Sequence, residues 1–424
     1  MRSLSFFIPL LMAMALPTAA LASPARPPVD APELAQLGKH GVGTLVESVA
    51  VAGPDSRAVK VRLWYPAVGG GHATSYSHRL ERVGAPPVAV TYPALAVPSA
   101  TPAKGRFPLV VLSHGYRGWP ELMSFLGENL ASKGYVVAAI DHGDRPFTDG
   151  PSFARSFGEV IVNRGRDQRA VIGYVLGRAR GPVKAAWPSV DPARGVALIG
   201  YSMGGFGALA TAGAGYDPDS PTIKQLPAPF QQMVLSSDAA IPREVRALVL
   251  IAPWGSQPAN RSWSSSALSR ITAPTLMISG DQDDIVDYKQ GVRFLFDGLT
   301  ASRRRLLVYR DARHNVGGNP LPASPAADFR LVDALAEPVW RSERINAINQ
   351  HFITAFLDLE MKGDASRKAY LDVPTPIASN GEWPSAPGQS FGGQTAGDTQ
   401  PAYWRGFQRR WAVGVELHSA PASR

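Results

Sequence analysis

The stretch VALIGYSMGGFGALA, Val196 to Ala210, changes its period in the middle. Val196 to Ile199 are four apolar residues, as expected of a strand covered on both faces. Gly200-Tyr201-Ser202-Met203-Gly204-Gly205 then turns sharply, and Phe206 to Ala210 reads as the start of a buried helix. A serine on such a strand–turn–helix sits on strained backbone, so the residues two before and two after it must be small. Gly200 and Gly204 meet that need, and Gly205 lets the helix pack close. Ser202 Oγ is then expected at the top of a sheet, where a helix N-terminus favours developing negative charge. Taken alone, G-x-S-x-G is weak evidence, since it also fits a glycine-rich turn of another α/β fold. What separates the two readings is whether an acid and a histidine follow in the right order.

Around this turn, strands and helices alternate. Thr44 to Ala52 and Val59 to Tyr65 read as an antiparallel hairpin. Gly69 to Arg106 is rich in Gly, Pro and Ala and reads as a long loop or small insertion. Phe107 to Leu112, Tyr135 to Ile140, Val245 to Ala252, Thr275 to Ser279 and Arg305 to Arg310 are short apolar strands. Trp119 to Lys133, Arg164 to Arg178, Val286 to Leu299 and Arg344 to Met361 are the helices between and after them. Such alternation predicts a mostly parallel central sheet with helices on both faces and an antiparallel N-terminal hairpin, the α/β-hydrolase fold. Residues 41–363 would form this domain, with 216–242 as an irregular insertion and candidate lid. Residues 23–40 read as irregular. Residues 364–424 read as a Pro/Gly/Ser-rich linker followed by an aromatic hairpin-like extension from Trp404 to Leu417, expected to pack back on the domain.

The 424 residues are 45% apolar, enough for one large α/β domain with additions. Residues 1–22 have the form of a secretory signal peptide: Arg2, an apolar run from Leu4 to Leu16, and Ala20-Leu21-Ala22 before Ser23. The expected location is therefore periplasmic or secreted, with no stable membrane insertion after cleavage. The chain has no cysteine, which removes disulfides, thiolate metal sites and a cysteine nucleophile. The formal charge of +9 is scattered. Its densest cluster, Arg303-Arg304-Arg305, reads as solvated basic surface, and no nucleic-acid-binding pattern accompanies it.

In this fold the acid follows the second strand beyond the serine, and the histidine follows the last core strand. Gly280-Asp281-Gln282-Asp283-Asp284 offers three carboxylates; the Gly-x-x-Asp spacing selects Asp283, leaving Asp281 and Asp284 as loop or cap residues. His314 is the histidine after strand Arg305 to Arg310. His351 lies in a helical stretch, His40, His72 and His78 precede the core of the sheet, and His418 is in the tail. Oxyanion donors are expected at the backbone N–H of Met203 and at Tyr116 in the loop Ser113-His114-Gly115-Tyr116-Arg117-Gly118, which His114 would order. Trp254 either lines the substrate pocket or packs in the core. Asp141-His142-Gly143-Asp144 is read as loop ordering near the cleft in preference to a metal site. Arg166 and Asp167 read as surface or structural residues.

The segments VKVRLWYPA, VVLSHGYRG, IDHGD, GYSMGG, GDQDD and RHN together resemble bacterial exported α/β-hydrolases of the dienelactone hydrolase-like type. That type is similar to the platelet-activating-factor acetylhydrolase-like group and, more distantly, to secreted cutinase-like polyesterases. The resemblance spans about Gly41 to Gly363. It maps the catalytic residues onto Ser202, Asp283 and His314 and the oxyanion donors onto Tyr116 and Met203. Dienelactone hydrolases proper use a cysteine nucleophile; with serine in its place, the resemblance implies a serine esterase working through an acyl-enzyme. It implies a small-molecule or lipid ester substrate, no metal and no cofactor, and leaves the oligomeric state open. The alternatives are a phospholipid acetylhydrolase, a polyester hydrolase, an acyltransferase, a peptidase, or a non-catalytic binding protein on the same fold.

Overall fold

The computed structural model describes residues 27–53, 56–69, 74–181, 186–235, 242–322, 328–381, 403–408 and 410–423. The signal-peptide reading over residues 1–22, part of the turn at Pro54-Asp55-Ser56 and most of the linker read at Asp372 to Tyr403 lie outside them.

The strands are β1 (Gly41–Val51), β2 (Arg57–Ala67), β3 (Ser75–Arg82), β4 (Ala85–Pro93), β5 (Val97–Pro98), β6 (Leu109–Ser113), β7 (Val136–Asp141), β8 (Val196–Tyr201), β9 (Val245–Ile251), β10 (Thr275–Gly280), β11 (Arg304–Tyr309) and β12 (Val415–Ala420). Ten of them form one sheet, in the order β12-β11-β10-β9-β8-β6-β7-β2-β1-β5. From β11 to β7 every pairing is parallel, β2 and β12 join antiparallel at either end, and β1 pairs antiparallel with β2 along its whole length. This is the α/β-hydrolase fold, with the antiparallel hairpin where the alternating pattern placed it. β6, β8, β10 and β11 are buried at every position, which is why their centres at 109–112, 196–199, 276–278 and 306–308 are continuous apolar runs instead of alternating ones.

Three helices position the site: α1 (Ser124–Ser132), α2 (Gly150–Arg180) and α3 (Met203–Thr211). The sequence predicts α2 only from Arg164 to Arg178, whereas the helix begins 14 residues earlier, at Gly150. Pro151 sits in the first turn, where its missing N–H costs nothing, and Asp149 caps the helix by accepting from Ser152 N at 2.8 Å. Gly158 is a packing position: a Cβ there would lie 2.5 Å from the Phe230 ring.

The Gly/Pro/Ala-rich stretch 69–106 contains structure that its composition hides. β3 and β4 pair as a separate two-stranded sheet. Val88, Val90 and Tyr92 of that hairpin form a small second core with Trp119, Leu122 and Leu331. Residues 216–235 include two short helices, Pro221–Lys224 and Ala228–Leu235, in place of irregular chain.

Among its described residues the C-terminal extension supplies one strand, β12, which pairs antiparallel with β11 and has no hairpin partner within the extension. Trp404 and Phe407 pack on Phe352, each with ring centroids 5.9 Å apart. Arg304 and Arg305 are correspondingly buried, contrary to their reading as solvated surface. Arg304 donates to the Pro421 carbonyl at 3.1 Å, and Arg305 pairs with Asp372. Among the described residues no helix is long and apolar enough to cross a membrane.

Candidate active site

Ser202 stands between β8 and α3 with φ 52° and ψ −114°, left-handed backbone that a serine adopts only under constraint. The constraint is visible at the glycines. A Cβ on Gly200 would lie 2.3 Å from the Gly204 carbonyl carbon, and one on Gly204 would lie 2.0 Å from the Ser113 carbonyl oxygen. Ser202 N donates to the Ile251 carbonyl at 2.8 Å, and its own carbonyl accepts from Trp254 N at 3.1 Å. The turn is thus stitched to the end of the neighbouring β9.

The loops after β10 and β11 bring the other two residues to it. His314 Nε2 lies 3.1 Å from Ser202 Oγ, and His314 Nδ1 lies 2.8 Å from Asp283 Oδ2. The other oxygen of Asp283 accepts from the amides of Ile285 and Val286 at 3.0 and 3.1 Å. Tyr201 stacks on the imidazole with centroids 5.5 Å apart, and its hydroxyl donates to the His314 carbonyl at 3.3 Å. The competing carboxylates are engaged elsewhere: Asp281 accepts from Asp311 N, and Asp284 pairs with Arg313. His351 is buried in the helix Ser342–Lys362, where its Nδ1 accepts from Leu34 N. Such a carboxylate–imidazole–hydroxyl chain is the arrangement that acyl transfer through serine requires.

Tyr116 lies on the loop that follows β6. A Cβ on its neighbour Gly115 would come within 3.2 Å of Ser202 Cβ, so this loop is packed directly against the serine. Met203 opens α3 beside it. Of the two roles read for Trp254, pocket lining and core packing, its contacts display the packing. Its indole is almost fully buried, meets the rings of Phe157 and Phe206 at 5.2 and 5.6 Å, and lies outside the lining of the cleft.

That cleft has a volume of about 580 Å³ and opens over Ser202 and His314. Its walls are the β3–β4 hairpin, with Leu80 and Val83, and the helix Phe329–Leu335, with Leu331 and Leu335. Tyr116 and Trp119 add aromatic surface. The candidate lid at 216–242 contributes no residue to this lining among its described residues; Phe230 packs on α2 at Gly158. Neither wall was legible as such, because one lies in a stretch that reads as loop and the other is a seven-residue helix.

Beneath the Tyr116 loop lies a buried polar network. His142 holds Ser113 Oγ with Nε2 at 2.8 Å and Asp167 Oδ2 with Nδ1 at 2.7 Å, and Arg57 pairs with Asp167. Burial keeps His142 well below the usual histidine range and lifts the Asp167 carboxyl to about 6 against the opposing pull of Arg57. Asp144 faces Arg164 through two hydrogen bonds of 2.7 and 2.6 Å. Burial raises its carboxyl, but the guanidinium more than reverses this and holds it well below the usual carboxylate range. The Asp-His-Gly-Asp segment therefore orders a loop, with both its histidine nitrogens and its last carboxylate already engaged. Asp167 is fully buried at the centre of the network.

Comparison with known proteins agrees with this architecture. The family model for platelet-activating factor acetylhydrolase, isoform II, matches residues 87–153, from β4 through the Tyr116 loop into α2. Cutinase 1 of Thermobifida cellulosilytica is 28% identical over 210 residues, covering 50% of this chain and 61% of that protein. The bis(hydroxyethyl) terephthalate hydrolase of Streptomyces coelicolor is 28% identical over 218 residues, covering 51% and 53%. Cutinase est2 of Thermobifida alba is 31% identical over 176 residues, 42% of each chain. The chain thus spans between about two fifths and three fifths of the length of these relatives.

Proposed function

We propose that this α/β-hydrolase, similar to the platelet-activating factor acetylhydrolase and cutinase groups, is an exported serine carboxylic-ester hydrolase whose catalytic unit is residues 41–363. The observation that carries the reading is the continuous hydrogen-bonded chain from Asp283 through His314 to Ser202 at the floor of an open cleft. Ser202 Oγ attacks the ester carbonyl as His314 takes its proton. His314 returns that proton to the leaving alcohol, and water repeats the cycle on the acyl-enzyme. Asp283 fixes the imidazole tautomer and stabilises the imidazolium. The N–H groups of Tyr116 and Met203 receive the oxyanion; neither donates to another protein group among the described residues.

The test is hydrolysis of p-nitrophenyl acyl esters of increasing chain length, with wild type beside Ser202→Ala and EDTA added to both. The expected result is turnover that survives EDTA and disappears in the alanine variant. A folded wild type inert on all esters, or activity kept by Ser202→Ala, overturns the reading.

A polyester or phospholipid ester is the more specific substrate class. It is favoured by the activities that the relatives' names state together with apolar walls on both sides of an open cleft. Release of soluble acid from a polyester film, set against release from short-chain lipid esters, separates the two. Acyl transfer in place of hydrolysis is read from the products when an alcohol is added.

A further inference from the structure

The amide assigned to the oxyanion, Tyr116 N–H, belongs to the same peptide unit as the Gly115 carbonyl. In a trans peptide the two point in opposite directions, so whatever fixes the carbonyl aims the N–H. Three donors converge on Gly115 O: His114 Nδ1 at 2.7 Å, Gly118 N at 3.1 Å and Arg164 Nη2 at 3.1 Å. With Nδ1 donating, His114 Nε2 is left to accept, and His142 N lies 3.3 Å from it. The next amide, Arg117 N, donates to Asp144 Oδ2 at 2.7 Å. Arg117 has φ 56°, an uncommon conformation for a residue other than glycine, of the kind that persists only where its surroundings hold it.

Arg164 and Asp144 are themselves joined by two parallel hydrogen bonds, with side-chain exposures of 0% and 3%. A desolvated, bidentate pair has one geometry, unlike an exposed one. It links the loop after β7 to the middle of α2, and each partner reaches past the other to one end of the Gly115–Arg117 segment. The Tyr116 side chain is anchored on the same helix, with its hydroxyl 2.8 Å from Ser156 Oγ and its ring 5.6 Å from that of Phe157.

We propose that Arg164 and Asp144 are positioning residues that clamp the Gly115–Tyr116–Arg117 backbone and aim the Tyr116 N–H at the developing oxyanion. The role rests on the esterase reading above. Neither residue touches the substrate, and their effect passes through the two peptide planes that flank Tyr116, Arg164 on the first and Asp144 on the second.

Arg164→Lys keeps the cation and loses the fork, and Asp144→Asn keeps the shape and loses the charge. Each is compared with wild type by thermal unfolding, by kcat and KM on a p-nitrophenyl ester, and by amide hydrogen exchange over residues 114–118. The expected result for a folded variant is a kcat loss of about 10- to 100-fold, the scale of a misplaced catalytic group, with KM nearly unchanged. Exchange at the Arg117 amide is slow in wild type and accelerates in both variants. A purely structural role would lower Tm without separating kcat from KM. Folded variants with wild-type kcat and an unchanged exchange pattern overturn the proposal, as does an Arg117 amide that exchanges freely in wild type. A wild type that hydrolyses no ester removes the esterase reading alone, because the exchange measurement still decides whether the pair holds the loop.

Discussion

Asp283 divides its carboxylate between His314 and its own loop. One oxygen lies 2.8 Å from His314 Nδ1 while the other accepts two backbone amides. The imidazole is therefore oriented by a group that cannot itself rotate. Asp283→Asn preserves the shape but offers an N–H where an acceptor is needed, and favours the wrong tautomer. Its kcat should fall by about 10⁴-fold, with KM little changed. Because the three residues act as a unit, Ser202→Ala combined with His314→Ala should be no slower than either alone. Steady-state kinetics on one chromogenic ester checks both statements, and additive losses would contradict the second.

Gly204 is the position where the elbow tolerates nothing larger. An added Cβ would meet the Ser113 carbonyl at 2.0 Å, and the contact is with backbone, so neither side can swing away. Gly204→Ala is expected to displace the Tyr116 loop from Ser202 and to lower both Tm and kcat. The control is Gly173→Ala on α2, where no atom beyond the adjoining helix backbone lies within 4 Å of the new methyl and helix propensity improves. That variant should be neutral or stabilised by up to about 1 kcal/mol in thermal unfolding.

The cleft walls should set chain length. Leu80 and Leu335 line it from the hairpin and from the helix Phe329–Leu335. Leu80→Trp adds bulk on one wall without touching Ser202. Activity on acetyl esters should hold while kcat/KM on longer acyl esters falls by about 10-fold or more, the worth of a few excluded methylenes. An equal loss on all chain lengths would mean that the acyl group lies elsewhere.

The parts of the site legible in the sequence are those whose chemistry demands a particular residue at a particular place in chain order. Gly200, Ser202 and Gly204 announce the elbow, and Asp283 and His314 follow strands whose centres, 276–278 and 306–308, are apolar because both faces are buried. What stayed hidden depends on tertiary partners. The β3–β4 hairpin buries Val88, Val90 and Tyr92 only because Trp119 and Leu331 cover them. The role of Gly158 in α2 shows only when Phe230 is seen against it. Arg304 and Arg305 look solvated until β12 pairs along their strand. Arg164 and Asp144 are separated by 20 residues, and nothing local to either says that they meet.

His351 makes the fold sensitive to acid. Burial lowers its pKa from 6.5 to about 3, and its Nδ1 accepts from Leu34 N at 3.1 Å, a bond that protonation would abolish. The unfolded chain binds a proton at His351 below about pH 6.5 while the folded chain does not, so stability falls as pH drops from about 6.5 toward 3. At higher pH the residue contributes no slope. His142, also buried neutral, acts in the same direction, so the comparison must be a difference between wild type and variant. His351→Asn should lower stability at pH 7, yet lose less of it than wild type between pH 6.5 and 4.5. Urea unfolding at a series of pH values measures this, and parallel curves would exclude His351 as a source of the slope.

The C-terminal strand closes the sheet next to the histidine loop, and its removal should be felt there. β12 pairs with β11 from Arg304 to Tyr309, and Arg310 N donates to the Gly414 carbonyl at 2.9 Å, four residues before His314. Trp404, Phe407, Val415 and Leu417 are all buried. Each such side chain is worth about 1.5–3 kcal/mol against an exposed reference, so losing the group costs several kcal/mol. Deletion also turns β11 into an open edge with buried apolar neighbours, a template for association. A chain ending before Tyr403 should therefore unfold at markedly lower temperature and aggregate in size-exclusion chromatography. Its soluble fraction should show reduced kcat, because the strand that presents His314 has lost one of its two neighbours. Leu417→Asp, which keeps the backbone but opposes burial of this strand, should move Tm and kcat in the same direction by smaller amounts. Unchanged Tm on truncation would mean that β12 rests on the sheet without supporting it.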